Sequence, residues 1–207
     1  MLHTGDVIDN PEVPAEWDFA EEAMKNIEGV IPYKVLAGNH DIFHSEELFD
    51  EFSLRYGPNR YADRDQFIWY GENQACARIL QFNVQKYLLI ALCHSPSDEI
   101  LAWTEEILDE YSDIPAIIAT HSYLEADGKF TNDGSVIYSN IVKKHSNVRL
   151  VLCGHRYNVF QQIVPIDDNN DGISDRKVVQ ILANYQSSEG YGNGSFELMT
   201  LTKQKIL

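Results

Sequence analysis

The chain has 207 residues, of which 44% are hydrophobic and 23% are charged, as is typical of a globular protein. This length allows a substantial core, and we expect one domain over residues 1–207. Acidic residues outnumber basic residues by 32 to 16, which gives a formal net charge of −16 at pH 7. Such a surface repels phosphate backbones, which argues against duplex nucleic acid as a partner. We expect no membrane span, and no signal-peptide pattern is present in these residues.

The predicted elements alternate between strand and helix as far as residue 153. Prolines or serines mark the starts of the predicted helices, and apolar residues recur on one face of each. Three isolated cysteines fall in apolar segments, so we expect buried free thiols. The predicted helices begin near Pro14, Ser45, Ser97 and Ser135, and the predicted strands cover residues 1–4, 33–37, 67–70, 75–84, 87–92, 116–120 and 148–153.

The last third of the chain has a different pattern, with antiparallel strands predicted at 159–166, 177–183 and 195–202. Strand–helix alternation followed by strands alone predicts an α/β sandwich. The polar segment 167–175 resembles the start of a calcium loop, but Val178 stands where the EF-hand pattern needs a glutamate. A polar hairpin loop is the favoured interpretation, and a surface calcium site stays open as the alternative.

Polar side chains follow several of the predicted strands. Asp6, Asn39, His121 and His155 each come directly after a strand. Because strand ends converge on one crevice in open α/β sheets, we expect these four side chains to meet. One carboxylate, one amide oxygen and two imidazoles suit Mn, Fe or Zn. Taken singly, each residue has an ordinary structural interpretation, since a Gly-Asp pair is usually a turn and a lone histidine is usually hydrogen-bonded.

The residues after Asn39 add acid–base chemistry to this cluster. His40 is placed to face the same cleft and could protonate a leaving alkoxide. Asp41 follows it and could hold and orient that imidazole. His94, in a loop after a predicted strand, either lines the cleft or is an ordinary loop histidine. The chain has no GxSxG elbow and no P-loop, so a serine hydrolase or a nucleotide-triphosphate kinase has no support.

These motifs, in this order, resemble those of the calcineurin-like metallophosphoesterases. The matching segments are Gly5-Asp6-Val7-Ile8-Asp9, Gly38-Asn39-His40-Asp41, Thr120-His121 and Gly154-His155. The resemblance implies a sandwich of two mixed β-sheets flanked by helices. It also implies a hydrolase of phosphomonoesters or phosphodiesters that uses a metal-bound hydroxide as the nucleophile. Looser likenesses to a bacterial, exported branch suggest a periplasmic or secreted protein.

The resemblance also assigns roles to individual residues. It implies that Asp6 bridges two metals and that Asn39, His121 and His155 complete the second metal position. His40 would be the general acid or a phosphate-contacting residue, and Asp41 would be its partner. Asp9 would have a supporting role.

The sequence departs from the family pattern at the other metal position. The family's opening Asp-x-His is absent, and Tyr157 stands where the closing histidine of Gly-His-x-His is expected. Only one of the two metal positions is therefore complete. We expect an N-terminally truncated domain that lacks the first β-α unit, and the alternative is a catalytically weak or inactive form that binds one metal or an oxyanion. Tyr157 could ligate as a phenolate, but packing or a hydrogen bond to a metal-bound water is favoured.

Overall fold

The structure, a computed structural model, describes residues 1–43, 46–62, 66–190 and 192–200. Within these ranges the chain forms nine strands and six α-helices. The strands are β1 (Leu2–His3), β2 (Lys34–Val35), β3 (Ile68–Tyr70), β4 (Ala75–Phe82), β5 (Gln85–Leu92), β6 (Ala116–Thr120), β7 (Val148–Cys153), β8 (Asn158–Ile166) and β9 (Arg176–Asn184). The helices are α1 (Pro14–Lys25), α2 (Asn39–Ile42), α3 (Glu46–Tyr56), α4 (Pro58–Tyr61), α5 (Asp98–Glu110) and α6 (Asn132–Ile137), and a π-helical turn (Tyr138–Val142) continues α6.

Seven strands form one mixed sheet in the order β3-β4-β5-β6-β7-β9-β8. The four neighbouring strands β5, β6, β7 and β9 are parallel. Antiparallel strands flank them, with β4 and β3 on one side and β8 on the other. Every residue of β6 is buried, which explains its continuous apolar sequence, since a strand covered on both faces shows no polar alternation. A second, two-stranded sheet pairs β1 with β2 in parallel. The predicted mixed α/β architecture is confirmed.

The helix predictions are confirmed at two places where the caps are visible. Pro14 occupies the first turn of α1, and the Trp17 indole N–H donates to the Pro11 carbonyl at 2.9 Å. Ser97 caps α5, where its hydroxyl accepts the Ile100 N–H. The Ser45 cap lies outside the described residues.

Two predicted elements differ in the structure. The helix expected from Ser135 begins at Asn132, because the Thr131 hydroxyl caps it by accepting the Gly134 N–H at 2.9 Å. The strand predicted at 195–202 is wrong over residues 195–200, which have no strand pairing. β8 already forms the edge of the large sheet, so its antiparallel partner is β9 alone among the described strands.

The first residue of β2 is a buried lysine whose side chain contacts β3, at the edge of the large sheet. Lys34 is 2% exposed, and its Nζ lies 4.9, 5.7 and 4.6 Å from the ring centroids of Tyr61, Phe67 and Trp69. The ammonium also donates a hydrogen bond to the Asn73 side-chain oxygen. Burial lowers the pKa of Lys34 to about 8. We call this group the Lys34 box.

The carboxyl ends of the two sheets meet at one edge of the fold. The His94 N–H, after β5, donates to the Ala37 carbonyl, after β2, at 2.9 Å. The Gly154 N–H, after β7, donates to the His121 carbonyl, after β6, at 3.0 Å. These backbone bonds bring the loops that carry the predicted site residues side by side.

Two further expectations concern the whole chain. Cys76, Cys93 and Cys153 are buried free thiols, as predicted. Among the described residues, no helix is both long and apolar enough to cross a membrane.

Candidate metal centre

A carboxylate at the start of α2 ties together the two turns that carry Asp6 and Asn39. The Asp41 carboxylate accepts the backbone N–H groups of Asp6, Val7, Ile8 and Gly38 at 2.8, 2.8, 3.3 and 2.7 Å. Burial raises the pKa of Asp41 to about 6, while these amide bonds favour the carboxylate. Because four amides from two segments share one side chain, the two turns are fixed relative to each other.

Two glycines allow these turns to approach so closely. Gly5 has a φ of +93°, and a Cβ there would lie 2.6 Å from the Gly38 Cα and 2.7 Å from His121 Nδ1. Gly38 has an ordinary φ of −93°, but a Cβ there would collide with the backbone nitrogen and carboxylate of Asp6. Both positions therefore need glycine for space, and Gly5 needs it for conformation as well.

His121 lies at the centre of the predicted cluster. Its Nδ1 lies 2.7 Å from the Thr4 carbonyl oxygen, which can only accept, so Nδ1 carries a proton. Its Nε2 lies 2.9 Å from Asn39 Oδ1, 3.1 Å from His155 Nδ1 and 3.3 Å from Asp6 Oδ2. The structure thus brings together all four side chains that the sequence singles out. Because Nδ1 is used by Thr4, Nε2 is the nitrogen of His121 that faces Asn39, Asp6 and His155, and a cation among these four side chains would contact all of them.

The charge state of this cluster also suits a cation. Burial would raise the pKa of Asp6, but the interactions with His121 and the His40 backbone N–H at 3.1 Å lower it below its ordinary value. Burial and the nearby His121 and Arg156 lower the pKa of His155, which favours its neutral form. A carboxylate and a neutral imidazole are the forms in which Asp6 and His155 would bind a metal. Among the described residues, Asp6, His121 and His155 are the one group of acidic, histidine or cysteine side chains whose ligand atoms converge, within 4.8 Å of one another.

The partner of His40 differs from the prediction. His40 Nδ1 lies 2.8 Å from the Asp9 carbonyl oxygen and 3.2 Å from Asp9 Oδ1, whereas the carboxylate of Asp41 is taken up by backbone amides. The expectation that Asp41 orients His40 is therefore wrong, and Asp9 has that contact. The hydrogen bond to Asp9, with the charges of Asp6, Asp9 and Asp41, outweighs desolvation and raises the pKa of His40.

The turn after β7 places His155 and exposes Tyr157. His155 has a φ of +67°, and its carbonyl accepts the Asn184 side-chain N–H at 3.1 Å. Tyr157 is 62% exposed, and it makes no hydrogen bond or ring contact with the rest of the described chain. The expectation that Tyr157 packs is therefore wrong, because the turn into edge strand β8 directs its ring to solvent. A hydrogen bond from Tyr157 to a metal-bound water stays a prediction.

His94, whose role the sequence left open, lies against the cluster. Its ring centroid is 5.4 Å from that of His121 and 5.7 Å from that of His155. Asp133, which sequence reasoning did not single out, lies beside it, with Oδ2 3.5 Å from His94 Nδ1. Asp133 is in the first turn of α6, where acidic residues are common for helix-dipole reasons alone. No signal in the sequence separates it from such a residue.

The polar segment 167–175 connects β8 to β9 as a hairpin loop. Its carboxylates accept hydrogen bonds from the loop's own backbone, as in Gly172 N–H to Asp167 at 2.7 Å and Asp168 N–H to Asp175 at 2.8 Å. Arg176, 8% exposed, also contacts Asp168 through its Nε at 2.9 Å. The carboxylates of this segment thus hold the turn of the loop, as the hairpin-loop interpretation predicts.

Comparison with known proteins shows the class to which this fold and site belong. The model of the calcineurin-like phosphoesterase family matches residues 1–157. The chain is therefore a member of the calcineurin-like phosphoesterases, whose members are metal-dependent.

One relative in sequence and one solved structure are similar to this chain. It is 33% identical over 204 residues to the uncharacterized protein YvnB of Bacillus subtilis (strain 168), and the match covers 96% of this chain and 16% of YvnB. Its fold resembles that of purple acid phosphatase PPD1 from yellow lupin (Lupinus luteus) seeds, with a TM-score of 0.57 and 15% identity. That match covers 97% of this chain and 38% of the phosphatase. The chain thus spans a minor part of the length of both relatives.

Proposed function

We propose that this chain hydrolyses phosphomonoesters or phosphodiesters with a metal ion held by Asp6, Asn39, His121 and His155. The observation that carries the proposal is the convergence of their ligand atoms at His121 Nε2, which lies 2.9–3.3 Å from atoms of Asn39, His155 and Asp6. The donor set of two nitrogens and two oxygens suits Mn, Fe or Zn. When bound, such an ion supplies Lewis acidity, which neutralises phosphoryl charge and lowers the pKa of water.

His40 is the residue that we propose as the proton donor. Both groups near its Nδ1, the carbonyl and the carboxylate of Asp9, accept hydrogen bonds, so Nδ1 carries a proton and Nε2 is left for the substrate. Its side chain is 40% exposed, so the proton can be replaced from solvent. The raised pKa of His40 favours the imidazolium form, in which Nε2 also carries a proton. Water loses one proton to solvent and its oxygen bonds to phosphorus, the ester P–O bond breaks, and the leaving oxygen takes the proton from His40 Nε2, which leaves a neutral imidazole.

The supporting residues hold these groups in place. Asp41 joins the Asp6 turn to the Asn39 turn through four backbone amides. Thr4 fixes the tautomer of His121, which leaves Nε2 for the metal. Asp9 fixes the ring of His40. Each contact orients an acid, a base or a ligand before substrate binds, which is the condition for efficient transfer.

The test compares wild-type protein with two variants in one assay. Protein loaded with Mn²⁺, Fe or Zn²⁺ should hydrolyse p-nitrophenyl phosphate or bis(p-nitrophenyl) phosphate. His121→Ala should lose both bound metal and turnover, whereas His40→Ala should keep the metal and lose about 10²- to 10⁴-fold in kcat, the usual contribution of a general acid. Metal content by mass spectrometry separates the two effects.

His145→Ala is the matched control. His145 is 10% exposed in its side chain and lies 3.6 Å from Asp109, at the opposite, amino end of β7. It should not change metal content or turnover. Metal binding with no hydrolysis of either ester under any of the three metals would contradict the proposal and favour a chain that binds one metal or an oxyanion without catalysis.

A further inference from the structure

His94 contacts the two histidines of the metal centre with its ring. Its ring plane lies at 85° to that of His121, an edge-to-face arrangement, and at 38° to that of His155. Its side chain is 10% exposed, so the ring is enclosed rather than on the surface. The ligand atoms that converge belong to other residues, so His94 is a neighbour of the ligands and not one of them.

The two histidine ligands differ in what holds them. His121 has an anchor of its own, since Nδ1 donates to the Thr4 carbonyl at 2.7 Å. For His155, the hydrogen bonds and ring contacts of the side chain within the described residues come from His121 and His94 only. The orientation of the His155 ring therefore depends on His94 in a way that the orientation of His121 does not.

His94 is in turn fixed by a small polar group. Ser95 has a φ of +48°, a left-handed conformation that is costly for a residue other than glycine. Asp133 compensates by accepting the Ser95 backbone N–H at 3.2 Å and its hydroxyl at 3.1 Å, while its Oδ2 lies 3.5 Å from His94 Nδ1. The Ser95 hydroxyl lies 3.4 Å from His94 Nε2. The chain thus bends sharply after His94 and is held in that bend by a partly buried carboxylate.

We propose that His94, held by Asp133 and Ser95, is a positioning residue that sets the ring orientation of His155 and thereby the affinity and geometry of the metal site. The proposal rests on the metal binding in the proposed function and not on the hydrolysis. The ring contact with His155 implies that shape, more than the ring nitrogens, is what His94 contributes. Outer partners of metal ligands commonly contribute about 10- to 100-fold in affinity.

The test is a titration of the metal-free chain with Co²⁺, read by the visible absorption of the bound ion. His94→Ala should weaken Co²⁺ binding about 10-fold and change the absorption bands, because the His155 ring loses its neighbour. His94→Phe keeps a ring in contact with His155 and should restore affinity and spectrum to near wild-type values. Asp133→Asn should reduce the affinity for Co²⁺ less than His94→Ala does, since it weakens the contacts that hold His94 but keeps the ring.

His145→Ala is again the control, with the same side-chain exposure and a carboxylate at similar distance, and it should titrate like wild type. A wild-type affinity and spectrum in His94→Ala would overturn the proposal. So would a His94→Phe variant that binds Co²⁺ like wild type but has lost kcat, since that result would make His94 a catalytic residue. Tight metal binding without ester hydrolysis would overturn only the proposed function, and failure of wild type to bind metal would overturn both.

Discussion

The metal centre and the Lys34 box both enclose polar atoms, and Asn39 of the centre follows Lys34 by a few residues. They differ in where the partners of these polar atoms come from. In the box the chain supplies its own cation, and the Asn73 oxygen and three aromatic rings surround it. In the metal centre, Asn39 and Asp6 oxygens and two imidazoles face one another with no cationic side chain between them. The polar atoms of the box have their partners within the chain, whereas we propose that those of the centre bind a metal ion.

This difference separates a structural polar group from a binding site. A buried polar group usually has its partner within the protein, as Lys34 has in Asn73. When several acceptors converge without a donor, the missing partner is a ligand, and the donor types indicate its class. Burial alone would not have made the distinction, since Lys34 at 2% and His121 at 1% are equally enclosed.

Gly38→Ala should abolish or strongly weaken metal binding while the contacts of Lys34 are kept. It has the largest expected effect of the substitutions discussed. The new methyl group would collide with the Asp6 backbone nitrogen and carboxylate, so metal affinity should fall by about 100-fold or more. Gly29→Ala is the control, because its φ is +77° but no atom lies within 4 Å of the added carbon. It should cost about 1 kcal/mol in stability and leave metal binding unchanged. Equal affinities in a Co²⁺ titration of the two variants would refute the steric explanation.

Lys34→Met should change the box while leaving metal binding intact. The folded state releases the Lys34 proton at about pH 8 and the unfolded state at about 10.5, so the unfolded state holds more protons between these values. The contribution of Lys34 to the free energy of unfolding therefore rises with pH between these two values, by on the order of 3 kcal/mol. Relative to Lys34→Met, the wild type should gain this amount between pH 8 and 10.5 in urea unfolding.

Lys129→Met is the control for this pH dependence, because the Lys129 side chain is 81% exposed. Its unfolding free energy should follow that of wild type across the window. If Lys34→Met shows the same pH dependence as wild type, the amine of Lys34 titrates normally and the box does not impose the desolvation that we infer. A parallel loss of metal binding would show that the box and the centre are coupled.

Tyr157→Phe has the smallest expected effect. It tests whether the Tyr157 hydroxyl contributes to the metal centre. The Tyr157 ring is 62% exposed, so loss of its hydroxyl should change metal affinity and kcat/KM by no more than about twofold, as for other surface substitutions. The measurement is a Co²⁺ titration alongside ester hydrolysis. A loss of tenfold or more would mean that the phenol reaches the metal or its water, and the centre would then extend to Tyr157.

The sequence by itself indicated the family and the four side chains that lie together at the candidate metal centre. Asp6, Asn39, His121 and His155 follow predicted strands, and parallel strands bring their carboxyl ends to one edge whatever their loops do. Short-range cues likewise placed most strands and the helix at Ser97, because caps and apolar spacing act within a few residues.

Only the tertiary structure decided which side chains touch within the centre. Adjacency in sequence suggested that Asp41 orients His40, but the helical turn at Asn39 directs the Asp41 carboxylate at backbone amides and leaves His40 to Asp9. The contacts of His94 with His155 and Asp133 join two loops and the first turn of α6, which are distant in the chain. Side-chain direction depends on local dihedral angles and long-range packing, which residue order does not encode locally.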